Sequence, residues 1–529
     1  MKKIFSLIAL ITIAKASVAQ EALDALRFSY LQPVHSARIQ AIGGANASLG
    51  GDLSATFINP AGLAQYKTNE VVVAPGFFLN RPKITYNNTE FKDSRNHLHL
   101  ATTGVVLSRG SFYKNSPVRN TTISFAVQQQ ANYNSNFSYG GRNAISSFSE
   151  KWVEELIARN ATSFNQALQN FPAGASLAVE NYLIDSIRSP QGQLIGYRTN
   201  ANVLRMPLDQ RFTYETRGGM YDAAFGMAWN RNEKIFYGFS IGIPIVNFNR
   251  LSIVEESDAS GNRDNDFESF QLREQFSTRG AGLNAKLGVI AKPTSQLRLG
   301  LAFHTPSVLA LTDRTDATLT TQVENYAKRI TGDNNRASSF TLSTRDITNG
   351  APYSYMYTLT TPWRLLGSAS FVLNEVKDIT KQKGFITADI ELVNYKAASF
   401  SSAAEVPSEE ERAYFRGINN DIDELFRMAW NARLGGELKF NTLMVRGGFA
   451  YFGNPYQQDI FSDDASRGDR MVFSGGLGYR HRGIFIDLTY AHTLGRDIHI
   501  PYMLFDSGYP LVNNRFTNGQ VVTSIGFKF

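Results

Sequence analysis

The feature that most constrains this 529-residue chain is a series of short segments in which apolar and polar side chains alternate. In the segment 484–491, isoleucine, leucine and tyrosine occupy the even positions, and Asp487 and Thr489 stand between them. The same alternation recurs at 235–243 and at 297–304. A period of two is typical of β-strands that separate an apolar from a polar environment.

Charged residues occupy the polar faces of these segments. A basic side chain that faces lipid at the middle of a bilayer costs about 2–4 kcal/mol. If the strands cross a membrane, the charged faces must therefore line an interior lumen. We expect this lumen to contain Arg298, Asp389, Glu391, Arg433, Glu437, Arg446 and Asp487.

Fourteen such strands are predicted, at 69–79, 97–108, 120–131, 212–229, 234–246, 268–290, 296–305, 352–373, 384–396, 426–440, 442–453, 469–480, 484–494 and 515–529. Their connections alternate between long loops and short polar turns, which lie at 230–233, 292–295, 441 and 481–483. Alternating long and short connections are typical of outer-membrane barrels. The predicted fold class is all-β, a transmembrane antiparallel β-barrel of about fourteen strands with both termini on the short-turn, periplasmic side.

The N-terminus resembles a secretory signal peptide. Lys2 and Lys3 precede an apolar run at 4–14, and Ser17-Val18-Ala19 provides a small-residue cleavage site. The run is too short to span a bilayer as a helix. Without the three signal-peptide lysines, the formal charge falls from +7 to +4, or 50 basic minus 46 acidic residues, which argues against nucleic-acid binding. The chain contains no cysteine.

The stretch between the signal peptide and the first strand is rich in glycine, alanine, serine and asparagine. The segment 36–64 carries the pairs Gly43-Gly44 and Gly50-Gly51 and shows neither a helical stripe nor strand alternation. Glycine permits close backbone contacts and left-handed conformations. This composition predicts a compact plug ahead of the barrel, here called the hatch segment, residues 20–66.

The hatch segment resembles the N-terminal hatch of the FadL/TodX outer-membrane transporters. The resemblance rests on Gly43-Gly44-Ala45, on Asp52 and on the run 55–64, which contains Asn59-Pro60-Ala61-Gly62. It implies a fourteen-stranded barrel whose lumen is closed by a movable hatch. It also implies passive uptake of hydrophobic or amphipathic small molecules, such as long-chain fatty acids, into a Gram-negative cell through its outer membrane.

The resemblance divides the chain into a signal peptide at 1–19, the hatch at 20–66 and the barrel at 67–529. A long extracellular insertion is expected at 132–211. The family motif assigns Asn59, Pro60, Ala61 and Gly62 to a stiff turn of the hatch, because proline fixes its own backbone angle and restricts the residue before it. Gly43 and Gly44 are the corresponding hatch glycines.

The alternation of the third predicted strand breaks at Gln128-Gln129-Gln130. In register, Gln129 would direct its amide towards lipid, where an unpartnered polar group costs several kcal/mol. One interpretation is that Gln129 has reached the polar rim. The other is a β-bulge that opens a gap beside the hatch; members of the resembled family have a kink in their third strand and release substrate sideways through it.

The insertion at 132–211 predicts a helix at 149–160 with an apolar stripe. Trp152 and Leu156 belong to this stripe, and Phe164 and Leu168 continue it. The stripe either packs against the barrel rim or forms an extracellular groove on which an amphiphile first lands, as the resemblance implies.

The chain ends on an alternating strand with Phe529, which resembles the C-terminal signal that outer-membrane barrels present to the barrel assembly machinery. We expect no enzyme activity, no cofactor and no metal, with outer-membrane lipid and a hydrophobic ligand as partners. Three other classes remain open. They are a surface adhesin, a haem receptor that uses the alternating pair His97 and His99, and an outer-membrane lipase.

Overall fold

The computed structural model of the chain describes residues 15–111, 116–158, 173–373, 383–457, 468–504, 508, 510 and 512–529. Residues 1–14 of the predicted signal peptide therefore lie outside the described residues. The strands are β1 (Glu70–Val73), β2 (Pro75–Asn80), β3 (Pro82–Tyr86), β4 (Thr89–Lys92), β5 (Arg95–Leu100), β6 (Thr103–Gly110), β7 (Val118–Asn132), β8 (Ser135–Asn143), β9 (Ile184–Arg188), β10 (Leu194–Thr199), β11 (Leu208–Arg231), β12 (Ile235–Asp258), β13 (Ser269–Ala291), β14 (Leu297–His304), β15 (Val308–Gln322), β16 (Ser339–Ser343), β17 (Tyr353–Thr360), β18 (Arg364–Leu373), β19 (Gly384–Asn394), β20 (Ser399–Ser402), β21 (Met428–Phe440), β22 (Leu443–Phe452), β23 (Arg470–His481), β24 (Ile484–His499) and β25 (Val512–Lys528).

Twenty-two of these strands form a closed antiparallel barrel of fourteen, which confirms the predicted fold class. Of the other three, β9 and β10 pair with each other and β16 pairs with β15. Six barrel strands are interrupted: the first (β1–β3), the second (β4–β6), the third (β7 and β8), the seventh (β14 and β15), the eighth (β17 and β18) and the ninth (β19 and β20). The remaining eight are β11, β12, β13 and β21 to β25. The ring closes where β25 pairs with β1, β2 and β3.

Several strands run further than the sequence predicts. A membrane crossing needs about 9–11 residues of tilted strand, whereas β11 and β12 have 24 residues each. β8 continues the third barrel strand to Asn143, and β11 begins at Leu208. The connection between them is therefore 144–207, shorter than the predicted 132–211, because polar residues on both sides extend the ladder beyond the apolar segments.

The two faces of the barrel agree with the alternation in the sequence. Ile484 is 51% exposed and Leu488 is 50% exposed on the outer face, whereas Asp487, between them, is 1% exposed. The outward positions of β12 and β14 are exposed and apolar in the same way. All seven charged residues predicted to line the lumen are buried, which confirms that assignment.

The hatch segment from residue 36 onwards is buried inside this ring. It contains the short helices α2 (Ala37–Ala41) and α3 (Ala55–Ile58) and a 3₁₀ helix at Pro60–Gln65. Its hydrogen bonds reach barrel strands on all sides: Ala37 N to Ser524 Oγ, Asn46 N to Asp389 Oδ2, Ser240 Oγ to Thr56 O, and Asn120 Nδ2 to Ala64 O.

The other helices lie in the lumen or in the loops. They are α1 (Lys15–Ser29), α4 (Glu150–Ala158), α5 (Ala175–Glu180), α6 (Tyr326–Thr331), α7 (Thr344–Ile347) and α8 (Glu409–Leu425). Phe28 of α1 and Ile422 of α8 belong to one apolar cluster, which places α1 at the loop side of the lumen. Within the described ranges, no helix combines the length and apolarity that a membrane span requires.

Glycines of the barrel wall allow the hatch backbone to approach closely. Gly435 and Gly448 are partners in the β21–β22 ladder, and both face Ile42. A Cβ added to Gly448 would lie 2.2 Å from the backbone N of Gly43, which is far inside van der Waals contact. The adjacent Gly447 has nothing within 4 Å of the same position.

This difference gives a matched test of the hatch packing. We expect Gly448→Ala to destabilise the protein by about 1–3 kcal/mol, because the added methyl group overpacks the contact with the hatch. Gly447→Ala changes the same strand on its outer face, and we expect an effect within about 0.5 kcal/mol. Unfolding of both variants in detergent checks this, and equal effects would contradict the contact.

Candidate functional site

The Asn59-Pro60-Ala61 motif joins the hatch to the barrel wall. Asn59 is fully buried, and its Oδ1 accepts a hydrogen bond from the backbone N of Ala61 at 3.1 Å, which caps the 3₁₀ helix. Its Nδ2 donates to the carbonyl oxygen of Ala47 at 2.5 Å and to that of Val289 in β13 at 3.3 Å. Pro60 occupies the first helical position, where the absence of an N–H group costs no hydrogen bond.

The hatch glycines Gly43 and Gly44 have φ angles of 70° and 82°. This left-handed region strongly favours glycine. A Cβ on Gly44 would lie 3.2 Å from the His35 ring. The two glycines therefore turn the chain tightly between the wall and His35, and their role in opening or closing stays a prediction.

Buried charged residues of the barrel wall hold the hatch in the lumen. Arg446 donates to Glu437 and to Asp487, each at 2.6 Å, and is itself fully buried. Arg38 of α2 lies 3.6 Å from the same Glu437 carboxylate. Asp389 accepts hydrogen bonds from two consecutive backbone N–H groups of the hatch, at 3.0 Å each. Pairing of this kind is what a buried charge requires.

The third barrel strand contains a β-bulge at the predicted position. Met220 and Tyr221 of β11 pair with Ala131 and Gln129, so Gln130 is an extra residue in β7. All three glutamines are at most 5% exposed. The bulge that one interpretation expects is therefore present, and Gln129 is buried; a lateral exit at this place stays a prediction.

The ladder is also broken on the other side of β7. The pairing of β6 with β7 ends at Thr103 and Val127. Beyond that point the hatch takes the place of the missing strand: Gln32 N donates to the carbonyl oxygen of Gln130 at 2.8 Å. Val34 N donates to that of Gln129 at 2.9 Å. We call residues 32–35 the strap.

Side chains tie the strap to both edges of this gap. Gln128 Nε2 donates to Thr102 Oγ1 at 2.7 Å and to His35 Nδ1 at 3.0 Å. Thr102 Oγ1 donates in turn to the carbonyl oxygen of Val34 at 3.2 Å. The gap between the second and third barrel strands is thus closed by hydrogen bonds rather than by a continuous ladder.

Two cavities meet at the strap. The larger, of 590 Å³, lies on the loop side of the hatch and is lined by Tyr30, Gln32 and Asn132. The smaller, of 70 Å³, is lined by Pro33, His35 and the bulge residues Gln128 and Gln130. Successive residues of the strap region therefore face different cavities, and the strap separates them.

The larger cavity combines apolar, aromatic and charged side chains. Helix α1 contributes Leu23, Leu26 and Arg27, and the opposite wall contributes strand residues such as Leu272 and Phe276. Arginines lie over aromatic rings around it, with guanidinium-to-ring distances of 4.5 Å for Arg27 and Phe248, 4.9 Å for Arg250 and Phe276, and 4.4 Å for Arg470 and Tyr30. Each of these arginines also has a carboxylate neighbour, so the lining suits an amphipathic molecule.

The predicted extracellular groove is not supported by the residues that the structure describes. Trp152 and Leu156 lie on α4, but they are 3% and 0% exposed. Trp152 packs against Phe148 and Phe270 in the core above the barrel. The apolar stripe is therefore covered both by the insertion and by barrel strands at the loop end, such as β13 with Phe270. Phe164 and Leu168 lie outside the described residues.

The remaining candidates from the sequence are a histidine pair and the C-terminal phenylalanine. His97 and His99 lie 6.4 Å apart between ring centroids, and both pack against Phe78. Across the described part of the chain, no three His, Cys, Asp or Glu side chains are grouped to hold a metal ion. Phe529 exchanges backbone hydrogen bonds with Asn69 at the barrel seam, and its role in assembly stays a prediction.

A buried carboxyl group anchors the insertion to the barrel beyond the apolar belt. Glu256 lies near the loop end of β12, about 11 residues beyond the ten that cross the membrane. It accepts hydrogen bonds from Ser147 Oγ at 2.5 Å, from Phe148 N at 2.6 Å and from Gln210 Nε2 at 2.7 Å. Burial raises the pKa of Glu256 from 4.5 to about 7.

This raised pKa predicts a pH-dependent stability. The folded state holds a proton that the unfolded state has lost, so the contribution of Glu256 is complete below pH 4.5 and is lost as the pH rises through about 7. We expect a higher unfolding midpoint at about pH 5 than at about pH 8. Glu256→Gln should flatten this difference, and Glu255→Gln on the outer face should not. A pH profile that is unchanged in Glu256→Gln would contradict the assignment.

Comparison with known proteins agrees with this architecture. No protein-family model and no curated protein matches the chain. Among solved structures, a Pseudomonas aeruginosa FadL homologue matches with a TM-score of 0.51 at 12% identity, covering 95% of this chain and 100% of that one. The P. putida toluene transporter TodX matches with a TM-score of 0.50 at 14% identity, covering 94% and 99%. The resemblance to the FadL/TodX family is thus confirmed at the level of the fold.

Proposed function

We propose that this chain, which shares the fold of the FadL homologue and TodX, is an outer-membrane channel for passive uptake of hydrophobic or amphipathic small molecules. The observation that carries the proposal is the gap in the wall between the second and third barrel strands. It opens beside the strap, and the strap divides a large cavity on the loop side from a small one at the bulge.

The larger cavity has the size of a binding site for one small molecule. Ligand sites typically enclose about 300–1,000 Å³, and this cavity measures 590 Å³. Each methylene group that leaves water contributes about 0.8 kcal/mol, so a long acyl chain would be held tightly. Release of the bound molecule is then the difficult step. Movement of one wall of the binding site would weaken binding and allow release.

The strap is the element that we assign to release. Backbone N–H groups of the strap donate hydrogen bonds to the bulge, and His35 accepts one from Gln128. No buried ion pair in the described part of the chain involves residues 32–35. A small displacement of residues 32–35 would join the two cavities and open the gap. The hatch below it, fixed by Asn59 and the buried charges, would block a straight path through the lumen. Substrate would therefore leave sideways, into the membrane.

The lining of the larger cavity supports our choice of substrate class. Paired arginines over aromatic rings accept a polar head beside an apolar chain, which favours an amphipathic molecule such as a long-chain fatty acid. TodX is described as a toluene transporter. Uptake of oleate and of toluene by cells that produce this chain, with cells lacking it as the blank, distinguishes the two classes. No uptake of either would contradict the proposed function.

A disulfide clamp tests the lateral exit. Val34 N donates to the carbonyl oxygen of Gln129, so a cross-link between these two neighbouring residues would hold the strap on the bulge. The chain has no cysteine of its own. We expect oxidised Val34→Cys/Gln129→Cys to lose most uptake and to regain it on reduction.

The two single-cysteine variants are the control for this clamp. They carry the same substitutions without the cross-link, so oxidant should leave their uptake unchanged. Full uptake through the oxidised double variant, with the cross-link verified by mass spectrometry, would contradict a lateral exit through this gap.

A second test concerns the hatch motif. Asn59→Ala removes the cap of the 3₁₀ helix and the bonds to Ala47 and Val289. Loss of a buried cap typically costs about 0.5–2 kcal/mol, so the barrel should still assemble while the hatch is less firmly held. We expect impaired uptake of a hydrophobic substrate at normal surface levels for Asn59→Ala combined with Pro60→Ala. Unchanged uptake would make the motif ordinary packing.

A further inference from the structure

A groove crosses the outer face of the barrel on strands β11, β12, β13 and β15. It encloses 670 Å³, and the residues that line it belong to the described ranges. One rung of the ladder forms its floor, with the paired residues in the order Arg217, Asn249, Ser277 and Arg314. Short side chains therefore lie between two arginines. We call this surface, together with the neighbouring Arg279, the arginine groove.

The arginine groove faces outwards. Arg279 continues the odd-numbered positions of β13, of which Leu283 and Leu287 are exposed on the barrel exterior. Arg314 continues the even-numbered positions of β15, of which Val308 is exposed in the same way. Arg279 and Arg314 are themselves exposed, and neither of them lines the two cavities of the lumen. Both guanidinium groups are therefore accessible from outside the barrel.

Two arginines of the groove have no carboxylate partner among the described residues. No side-chain hydrogen bond or salt bridge in the described part of the chain involves Arg279 or Arg314. In the ladder, Arg279 pairs with Thr312, and Arg314 is the diagonal neighbour two residues further along β15. Diagonal neighbours lie about 7–8 Å apart, within reach of long side chains. The two unpaired guanidinium groups are thus near enough to contact one anion.

The other arginines that line the groove are compensated. Each has a carboxylate partner within 3 Å: Arg217 with Glu215 at 2.6 Å, Arg250 with Glu274 at 2.7 Å, and Arg345 with Asp316 at 2.7 Å. Glu215 also pairs with Arg95 at 2.8 Å. The positive charge that is available to a ligand therefore resides on Arg279 and Arg314.

The level of the arginine groove relative to the membrane identifies the anion. A lipid-facing apolar band is about 25 Å tall, and a strand tilted by about 40° needs roughly ten residues to cross it. In β13 the outward residues from Ala291, beside the short turn, to Ala281 are apolar, and Arg279 is the next outward residue. β12 changes at the same rung, because Asn247, the outward residue after Ile245, pairs with Arg279. The groove therefore begins just beyond the apolar band on the loop side, at the level of lipid headgroups.

We propose that the arginine groove binds a phosphate group of a phosphorylated glycolipid in the outer leaflet of the membrane. The planar guanidinium group binds phosphate through two parallel charge-assisted hydrogen bonds, and basic residues beside a membrane attract anionic headgroups. The Asn249 amide and the Ser277 hydroxyl on the floor offer uncharged hydrogen-bonding groups to the sugar. This inference rests on the proposed membrane location and is independent of transport.

Binding of diphosphoryl lipid A to the purified protein in neutral detergent, measured by native mass spectrometry, tests the proposal. We expect Arg279→Gln/Arg314→Gln to weaken binding at least about tenfold. The matched control, Arg211→Gln/Arg273→Gln, removes two exposed arginines from the same outer face, on rungs further from the apolar band. It should bind within about twofold of the unaltered protein. Equal binding by the two double variants would overturn the proposal.

Competition experiments separate the possible sources of phosphate. Fully dephosphorylated lipid A should bind no better to the unaltered protein than to the Arg279→Gln/Arg314→Gln variant, and preferential binding would contradict phosphate recognition. Inorganic phosphate at millimolar concentration should not displace diphosphoryl lipid A. Complete displacement would indicate a site for small anions and contradict a lipid site.

Thermal unfolding without lipid separates ligand binding from a structural role. Removal of two neighbouring like charges should leave the unfolding midpoint of Arg279→Gln/Arg314→Gln unchanged or raise it. A lower midpoint than that of the unaltered protein would indicate that the two arginines support the fold, and it would count against a lipid site.

Uptake distinguishes this inference from the proposed function. Arg279 and Arg314 point away from the lumen and line neither cavity, so their double variant should take up substrate as the unaltered protein does. Lost lipid binding with normal uptake supports the inference. Loss of uptake in this variant, with normal uptake in the Arg211→Gln/Arg273→Gln control, would contradict the independence of the two sites.

Discussion

The lumen of a fourteen-stranded barrel is too wide for its own side chains to fill, and this is the constraint on which the rest of the structure depends. The inward faces carry charges such as Arg446, Asp487 and Asp389, each of which needs a partner in the absence of water. The hatch segment supplies part of this pairing through backbone N–H groups and Arg38. The charged residues of the barrel wall and the hatch segment therefore depend on each other for their pairing.

The hatch backbone lies in close contact with the backbone of the barrel wall, and this contact requires small residues on both. Gly435 and Gly448 of the wall lie against Ile42 and Gly43, and Gly288 of β13 leaves room for Asn59. A side chain at any of these positions would displace the hatch and break its hydrogen bonds to the wall. The small residues of the hatch and the glycines of the strands are thus both required by the same close packing.

The ladder is interrupted at Gln130. Here residues 32–35 of the hatch segment complete the sheet through two backbone hydrogen bonds. The strap also forms the boundary between the two cavities. Because one short segment both seals the wall and separates the cavities, it is the element whose displacement the proposed lateral release requires.

The sequence by itself determined the number of strands, their two faces, the charged lumen and the position of the break in the third strand, because alternation and polarity are local properties of the chain. Only the tertiary structure decided which residues meet. The burial of Trp152 and Leu156 and the position of the strap beside Gln129 depend on contacts between distant parts of the chain. Closure of the ring joins residues more than 400 positions apart, such as Lys83 and Arg515, and no local pattern specifies such a pairing.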